Sequence, residues 1–198
     1  MAANDPTPDL VRGLWKYMSQ RYGTRVLDKR TSPLMKLFGW GLDLFGVVTR
    51  DKFASDFVTT FGKRIYAPFV IGDPTPPWDL WQQVVICAHE HQHVIQATLQ
   101  PIRFEVKYLF SSRARALYEA DAYSCEVALE LWRTGTIPFV AGIAKCLKSY
   151  GCSSDDVQAA QAALSMAAAN ASTGLVNEAS RITIDWLDDH ARFLKHSA

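Results

Sequence analysis

Three residues of types that bind metals and move protons, His89, Glu90 and His93, form the pattern H-E-x-x-H. On a helix, side chains four residues apart lie on the same face, so the two imidazoles would converge on one point. Glu90 would lie about 100° round the helix from His89, within reach of a water molecule at that point. A hydrolytic zinc site needs two neutral imidazole nitrogens and a carboxylate beside the bound water. The motif therefore predicts a metal site in which Glu90 is the general acid and base.

The motif lies within a run from Trp78 to Leu99 that contains no Gly or Pro, between Pro77 and Pro101. This run predicts one long helix. The residues before the motif are almost wholly apolar, which is typical of a buried helix whose polar residues need partners. His91, two residues from either histidine of the motif, points to the opposite side, and we interpret it as structural or exposed on the surface.

A third ligand has to come from another element, because a catalytic zinc usually takes three protein ligands and leaves one position for water. The alanine-rich stretch at 113–133 is predicted to be a helix. Asp121 lies about 200° round that helix from Glu119. Four residues of the helix share one face, so two glutamates are candidates: Glu119, Ala122, Tyr123 and Glu126.

The pattern His89-Glu90-x-x-His93, followed by Glu119 in an alanine-rich helix, resembles the gluzincin branch of the zincin metallopeptidases. Residues 59–68 (TTFGKRIYAP), Trp81, and the stretches 89–96 and 118–123 are also similar to small uncharacterised bacterial and phage zincin-like proteins. The resemblance covers roughly Val58 to Glu126.

This resemblance implies a zincin-like fold and a Zn²⁺ ion bound by His89, His93 and Glu119, with Glu90 as the catalytic residue. It implies a zinc metallopeptidase, in which Glu90 activates the zinc-bound water to attack a peptide or protein substrate. In some related families the glutamate stands four residues before the Asp of an Ala-Asp pair. Here Leu117 occupies that position, which keeps Glu126 open as the alternative third ligand.

Two tyrosines, Tyr108 and Tyr123, are candidates for stabilising the oxyanion of a hydrolytic reaction. Gln96, one turn beyond His93, is either a partner of the ligands or part of an ordinary interhelical hydrogen bond. Two other functions stay open. The site could bind a metal without catalysis, in a regulatory or interaction module, or the ion could be structural or absent, with His89 and Glu90 only hydrogen-bonded.

The elements around the motif follow from local patterns. Residues 8–22 have the apolar spacing of an amphipathic helix that ends at Gly23. Segments 57–61 and 64–67 flank Gly62-Lys63, which predicts a β-hairpin. Residues 102–110 alternate between apolar and polar and predict a strand. Ser111 or Ser112 is predicted to cap the following helix, Gly135 to end it, and three more helices to follow after Ile137.

The fold class is therefore predicted to be α+β and mostly helical. A small antiparallel sheet should lie beside the motif helix, and a helical bundle should follow it. We expect one domain over residues 1–198, with a zincin-like core at about 50–135. The N-terminal segment 1–50 and the helices at 137–198 should pack on that core.

Composition excludes some function classes. A net charge of +1 without a basic stripe argues against a nucleic-acid partner. The acidic, proline-rich N-terminus does not resemble a signal peptide, and we expect a cytoplasmic protein with reduced cysteines, although a Cys146–Cys152 bridge is an alternative. The apolar segment Leu34–Val48 is too short and too interrupted to span a membrane, so we expect it to pack on the core or to face a partner.

Overall fold

The computed structural model describes residues 5–33, 35 and 57–195. These residues form a mostly helical α+β fold with a small sheet, as the sequence predicts. The helices are α1 (Pro8–Tyr22), α2 (Leu80–Leu99), α3 (Arg103–Phe110), α4 (Ser112–Thr134), α5 (Val140–Lys145), α6 (Ser154–Ala171) and α7 (Glu178–His190). Short 3-10 helices span Cys146–Tyr150 and Arg192–Leu194, and the strands are β1 (Arg25–Asp28), β2 (Thr59–Phe61) and β3 (Arg64–Ala67).

Helix α2 carries the motif through the centre of the fold. Asp79 caps its first turn by accepting a hydrogen bond from the Gln82 amide at 2.8 Å. Most of the helix is buried, and it packs against α1, α4, α7 and β2. The predicted helix is confirmed, although it begins two residues later than the run from Trp78 indicated.

The small sheet lies beside this helix and differs from the prediction in one respect. The hairpin is confirmed, with β2 antiparallel to β3 and Gly62 in the turn at a φ of 54°, a backbone conformation that favours glycine. β1, however, pairs with β3 in parallel, so the sheet is mixed rather than antiparallel. β1 was not predicted, because the four-residue strand Arg-Val-Leu-Asp is too short to show a periodic pattern.

The strand predicted at 102–110 is wrong, because these residues form helix α3. Phe104 and Tyr108, four residues apart, point to the same side, and their ring centroids lie 5.7 Å from each other. The other three apolar residues of the apparent strand face are exposed: Ile102, Val106 and Phe110. The alternation of residue types therefore does not mark a buried face here.

Helix α4 lies between two hydrophobic clusters. Cys125 and Leu129 belong to the cluster that includes α1, α2 and α7, whereas Ala120 and Val127 pack with α5 and α6. The predicted caps are confirmed: the Ser111 side chain accepts a hydrogen bond from the Ala114 amide, and Gly135 ends the helix at a φ of 72°. The predicted helices that follow are also present.

Other predictions concern termini, cysteines and membranes. Helix α1 has the predicted bounds and ends at Gly23. All four cysteines are free, so Cys146 and Cys152 form no bridge. The apolar segment Leu34–Val48 lies outside the described residues except for Met35, which is buried. Among the described helices, none has the length and apolar character needed to cross a membrane.

Candidate metal centre

Three side chains from two helices converge in the interior. His89 and His93 lie one turn apart on α2, and Glu119 faces them from α4. One ligand atom from each residue lies within 4.8 Å of the others. The Nε2 atom of His89 is 3.5 Å from Glu119 Oε2, and the Nε2 atom of His93 is 3.5 Å from Glu119 Oε1.

Charge and burial in this group fit a cation. His89, His93 and Glu119 are 5%, 6% and 1% exposed, and Glu119 Oε2 is a buried oxygen without a hydrogen bond. Although burial alone lowers the pKa of His93, the Glu119 carboxylate reverses the effect and raises that pKa to about 9. The two imidazoles in turn hold the pKa of Glu119 well below its usual range, against the effect of burial. The carboxylate therefore stays ionised opposite two nitrogen donors.

A hydrogen-bond network behind His93 fixes which of its nitrogens faces Glu119. Gln96 Nε2 donates to Asp121 Oδ2 at 2.7 Å and to the Tyr118 carbonyl at 3.0 Å, which orients the amide. Its Oε1 then accepts from His93 Nδ1–H at 2.8 Å. Gln92 donates to the same Asp121 oxygen. The Nε2 atom of His93 is thereby left for a ligand, as in many metal sites in which a second partner orients the histidine.

Tyr108 orients the carboxylate. Its hydroxyl donates a hydrogen bond to Glu119 Oε1, and burial, followed by the charge of Glu119, raises the pKa of this tyrosine well above its usual value. The phenol is therefore a permanent donor. Tyr108 reaches Glu119 from helix α3, a segment that the sequence analysis predicted to be a strand.

Glu90 is held beside the three-residue group by the sheet. Thr60 Oγ1 on β2 donates to Glu90 Oε2 at 2.6 Å. The buried Lys29 ammonium secures the start of β2 by donating to the Phe57 carbonyl at 2.8 Å and to Thr59 Oγ1 at 2.9 Å. Burial lowers the pKa of Lys29 to about 7, although the nearby Glu90 carboxylate raises it. The sheet thus positions the carboxylate of the motif.

A cavity of about 250 Å³ is lined in part by His89 and Glu90. Tyr123 lines it and packs its ring edge-on against His89 at a centroid distance of 4.8 Å. The Tyr123 and Tyr150 hydroxyls lie 3.2 Å apart, and burial raises the pKa of both phenols. Glu126 also lines this cavity but does not belong to the three-residue group.

The residues singled out in the sequence therefore lie in different parts of the site. The structure brings together His89, His93 and Glu119, with Glu90 alongside, and it places Glu126 in the adjoining cavity. His91 is fully buried and structural, not on the surface. Sequence reasoning assigned no role to three residues: Thr60, Asp121 and Tyr150. Thr60 and Asp121 lie within the stretches that resemble zincin-like proteins, whereas Tyr150 lies outside them and carries no local signal.

Comparisons of the chain with family models, with curated proteins and with solved structures found no match. The resemblance to gluzincins therefore rests on the motif itself.

Proposed function

We propose that this protein is a zinc-dependent hydrolase, and specifically a metallopeptidase of the gluzincin type. One observation carries the proposal. The ligand atoms of His89, His93 and Glu119 lie close together, and Oε2 of Glu119 is buried without a hydrogen bond. Two imidazoles and one carboxylate are a donor set of catalytic zinc sites, which leave a fourth position open. These three residues would hold the ion.

The bound zinc would supply a Lewis acid that polarises the substrate carbonyl and lowers the pKa of water toward about 7. Glu90 is the group that would accept a proton during attack and pass it to the leaving amine. Thr60 occupies one oxygen of Glu90, which fixes the carboxylate orientation and leaves the other oxygen for the proton transfer. Gln96 orients His93, and Tyr108 orients Glu119.

Tyr123 is the better placed of the two tyrosines for stabilising developing negative charge. Tyr123 lines the cavity together with His89 and Glu90, and its hydroxyl lies 3.2 Å from that of Tyr150. Tyr108 already donates to Glu119 and is not among the described residues that line the cavity. We therefore assign the oxyanion role to Tyr123 and the orienting role to Tyr108.

The Glu90→Gln variant tests the hydrolase. The zinc-loaded wild-type protein should cleave members of a mixed peptide library, monitored by mass spectrometry, and the variant should bind zinc equally but lose cleavage by at least about a hundredfold. Glu130→Gln is the matched control, because Glu130 lies on α4 and accepts a hydrogen bond from Trp81 rather than contacting the site. Undiminished cleavage by Glu90→Gln would remove this residue from the mechanism.

A second candidate function is a non-catalytic metal-binding module with a regulatory or interaction role. The observation that favours it is burial, since Glu90 is only 3% exposed and the three ligand candidates are similarly covered. Stoichiometric zinc in a wild-type protein that cleaves no peptide in the library would support this alternative.

A further inference from the structure

The cavity beside the candidate centre has room for one side chain of a ligand. Its volume of about 250 Å³ lies below the roughly 300–1,000 Å³ of pockets that hold drug-sized ligands. Its walls are largely aromatic and aliphatic, formed by Phe57, Val58, Trp78, Val85, Ile86, Tyr123 and Tyr150. Because His89 and Glu90 also line the cavity, a group bound in it would lie next to the proposed site of cleavage.

The charged side chains among the described residues that line the cavity are acidic. Glu90 and Glu126 both contribute carboxylates, and none of the described residues that line it is Lys or Arg. Glu90 has a partner in Thr60. Glu126, by contrast, makes no hydrogen bond or ion pair with any other described residue, although burial raises its pKa. Glu126 is half-buried, and His89 lies close enough to lower its pKa against the effect of burial. A cation brought by a ligand would give this carboxylate an ion pair within the cavity.

The position of Glu126 follows from the helix that carries Glu119. Glu119, Tyr123 and Glu126 occur at intervals of four and three residues on α4, so all three share the face that looks toward α2. The same geometry that presents Glu119 to the histidines therefore presents Glu126 to the cavity. An alkyl stem would fit against the aromatic walls, which also attract a cation at their faces.

We propose that this cavity, on the premise of the hydrolase proposed above, binds a cationic group of the substrate next to the cleaved bond, with Glu126 as the specificity-determining residue. The cation is an ammonium or guanidinium on an alkyl stem. It can belong to a lysine or arginine side chain or to the α-amino group of a peptide, and the experiment separates the two sources.

Equilibrium binding to the zinc-loaded Glu90→Gln protein tests the cavity without turnover. Calorimetry would compare N-acetyl-lysine amide, N-acetyl-norleucine amide and norleucine amide, which carry a side-chain cation, no cation and an α-amino cation. At least one of the two cations should bind about tenfold or more tightly than N-acetyl-norleucine amide. Tighter binding of the first probe identifies the side chain as the source, and tighter binding of the third identifies the α-amine. Equal affinities of all three probes would overturn the proposal.

Adding Glu126→Gln to this protein should abolish the preference, whereas adding Glu130→Gln should leave it. Glu130 lies one turn further along α4 and is outside the cavity lining. Glu126→Asp, which keeps the charge, should restore part of the preference and guards against a folding defect in the Gln variant. A preference that persists in a folded Glu126→Gln protein would contradict the assignment of Glu126.

Cleavage assays distinguish failure of this proposal from failure of the proposed hydrolase. Wild-type protein that cleaves a peptide carrying the cation favoured in the binding assay and a matched peptide lacking that cation equally would refute the cavity assignment alone. Wild-type protein that cleaves neither peptide, while the binding preference depends on Glu126, would refute the hydrolase and retain the cavity as a binding site for cations.

Discussion

The motif helix carries histidines in two contrasting environments. His91 lies on the side that faces α1 and the start of β1, where its Nδ1–H donates to the Cys87 carbonyl at 2.7 Å and its Nε2 accepts from Thr24 at 3.0 Å. Burial lowers the pKa of His91 to about 4, although the hydrogen bond to Cys87 acts in the opposite direction. His93, two residues later, faces a carboxylate, and its pKa is raised to about 9.

Burial alone does not decide what a histidine does. Both rings are buried, yet His91 has neutral partners at both nitrogens and is saturated as a neutral ring. The Nε2 atom of His93 faces Glu119, an anion that can share a cation with it. We infer that the group facing the ring nitrogen decides whether a buried histidine is structural or is able to bind a metal.

The largest expected effect comes from removing that anion. Glu119→Ala should lose stoichiometric zinc, with an affinity loss greater than the roughly 10–100-fold typical of an outer partner. Glu126→Ala should retain one zinc per chain, because Glu126 lies outside the three-residue group. Metal analysis after gel filtration measures both variants. Retention of zinc by Glu119→Ala and its loss from Glu126→Ala would exchange the roles of the two glutamates.

The second prediction concerns acid sensitivity on the His91 side. A histidine with a pKa of about 4 in the fold and 6.5 when unfolded binds its proton only in the unfolded chain between these values, so stability is present above pH 6.5 and falls as the pH drops toward 4. The difference between the two pKa values corresponds to a loss of about 3 kcal/mol in the free energy of unfolding once the pH has fallen to about 4. Urea unfolding of metal-free protein at pH 7 and pH 5 measures the loss in this window.

His91→Gln should remove most of this pH dependence, whatever its effect on stability at pH 7. His190→Gln is the matched control, because His190 is exposed at the end of α7 and should leave the pH dependence unchanged. An equal loss of stability in wild type and His91→Gln between pH 7 and pH 5 would show that another group carries the acid sensitivity.

The third prediction concerns the orientation of His93 and changes none of the proposed zinc ligands. Gln96→Leu removes the acceptor for His93 Nδ1–H and should reduce zinc affinity by about 10–100-fold, because the ring loses its orientation. Gln100→Leu, one turn further along the chain, serves as the control, since Gln100 bonds to Tyr118 and has no contact with His93. Competition with a fluorescent zinc chelator measures both affinities. An unchanged affinity in Gln96→Leu would show that Gln96 serves only the interhelical hydrogen bonds to Tyr118 and Asp121.

The smallest expected effect is that of Tyr108→Phe, which removes one hydrogen bond to Glu119 Oε1. Zinc affinity should fall by about tenfold or less, since the carboxylate remains in place. Tyr118→Phe removes a hydroxyl bonded to Gln100 and should leave the affinity unchanged. Equal zinc affinities of the two variants in the same competition assay would show that Tyr108 does not orient Glu119.

The sequence predicted those parts of the fold that depend on local signals. Helix α1 and helix α4 are bounded by capping side chains and by Gly23 and Gly135, which act within one turn. The hairpin depends on Gly62 in a two-residue turn. By contrast, β1 depends on pairing with β3, and α3 depends on Phe104 and Tyr108 finding the core near His93. Tertiary contacts decided both of these elements.

The candidate site shows the same division. The positions of His89, Glu90 and His93 follow from helical spacing, and Glu119 follows from one face of a second helix. The partners Thr60 and Asp121 could not be assigned, because their roles depend on how β2 and α4 approach α2 in space. Asp121 points away from Glu119 on α4, yet it anchors the Gln96 amide that orients His93.

The central claim is that His89, His93 and Glu119 jointly hold one zinc ion. X-ray absorption at the zinc edge of the protein loaded with one equivalent of zinc tests it directly. We expect a shell of nitrogen and oxygen atoms at about 2.0–2.2 Å from the zinc, with the scattering of two imidazoles and no sulfur. Failure to bind one equivalent of zinc, or a sulfur-containing shell at about 2.3 Å, would contradict it.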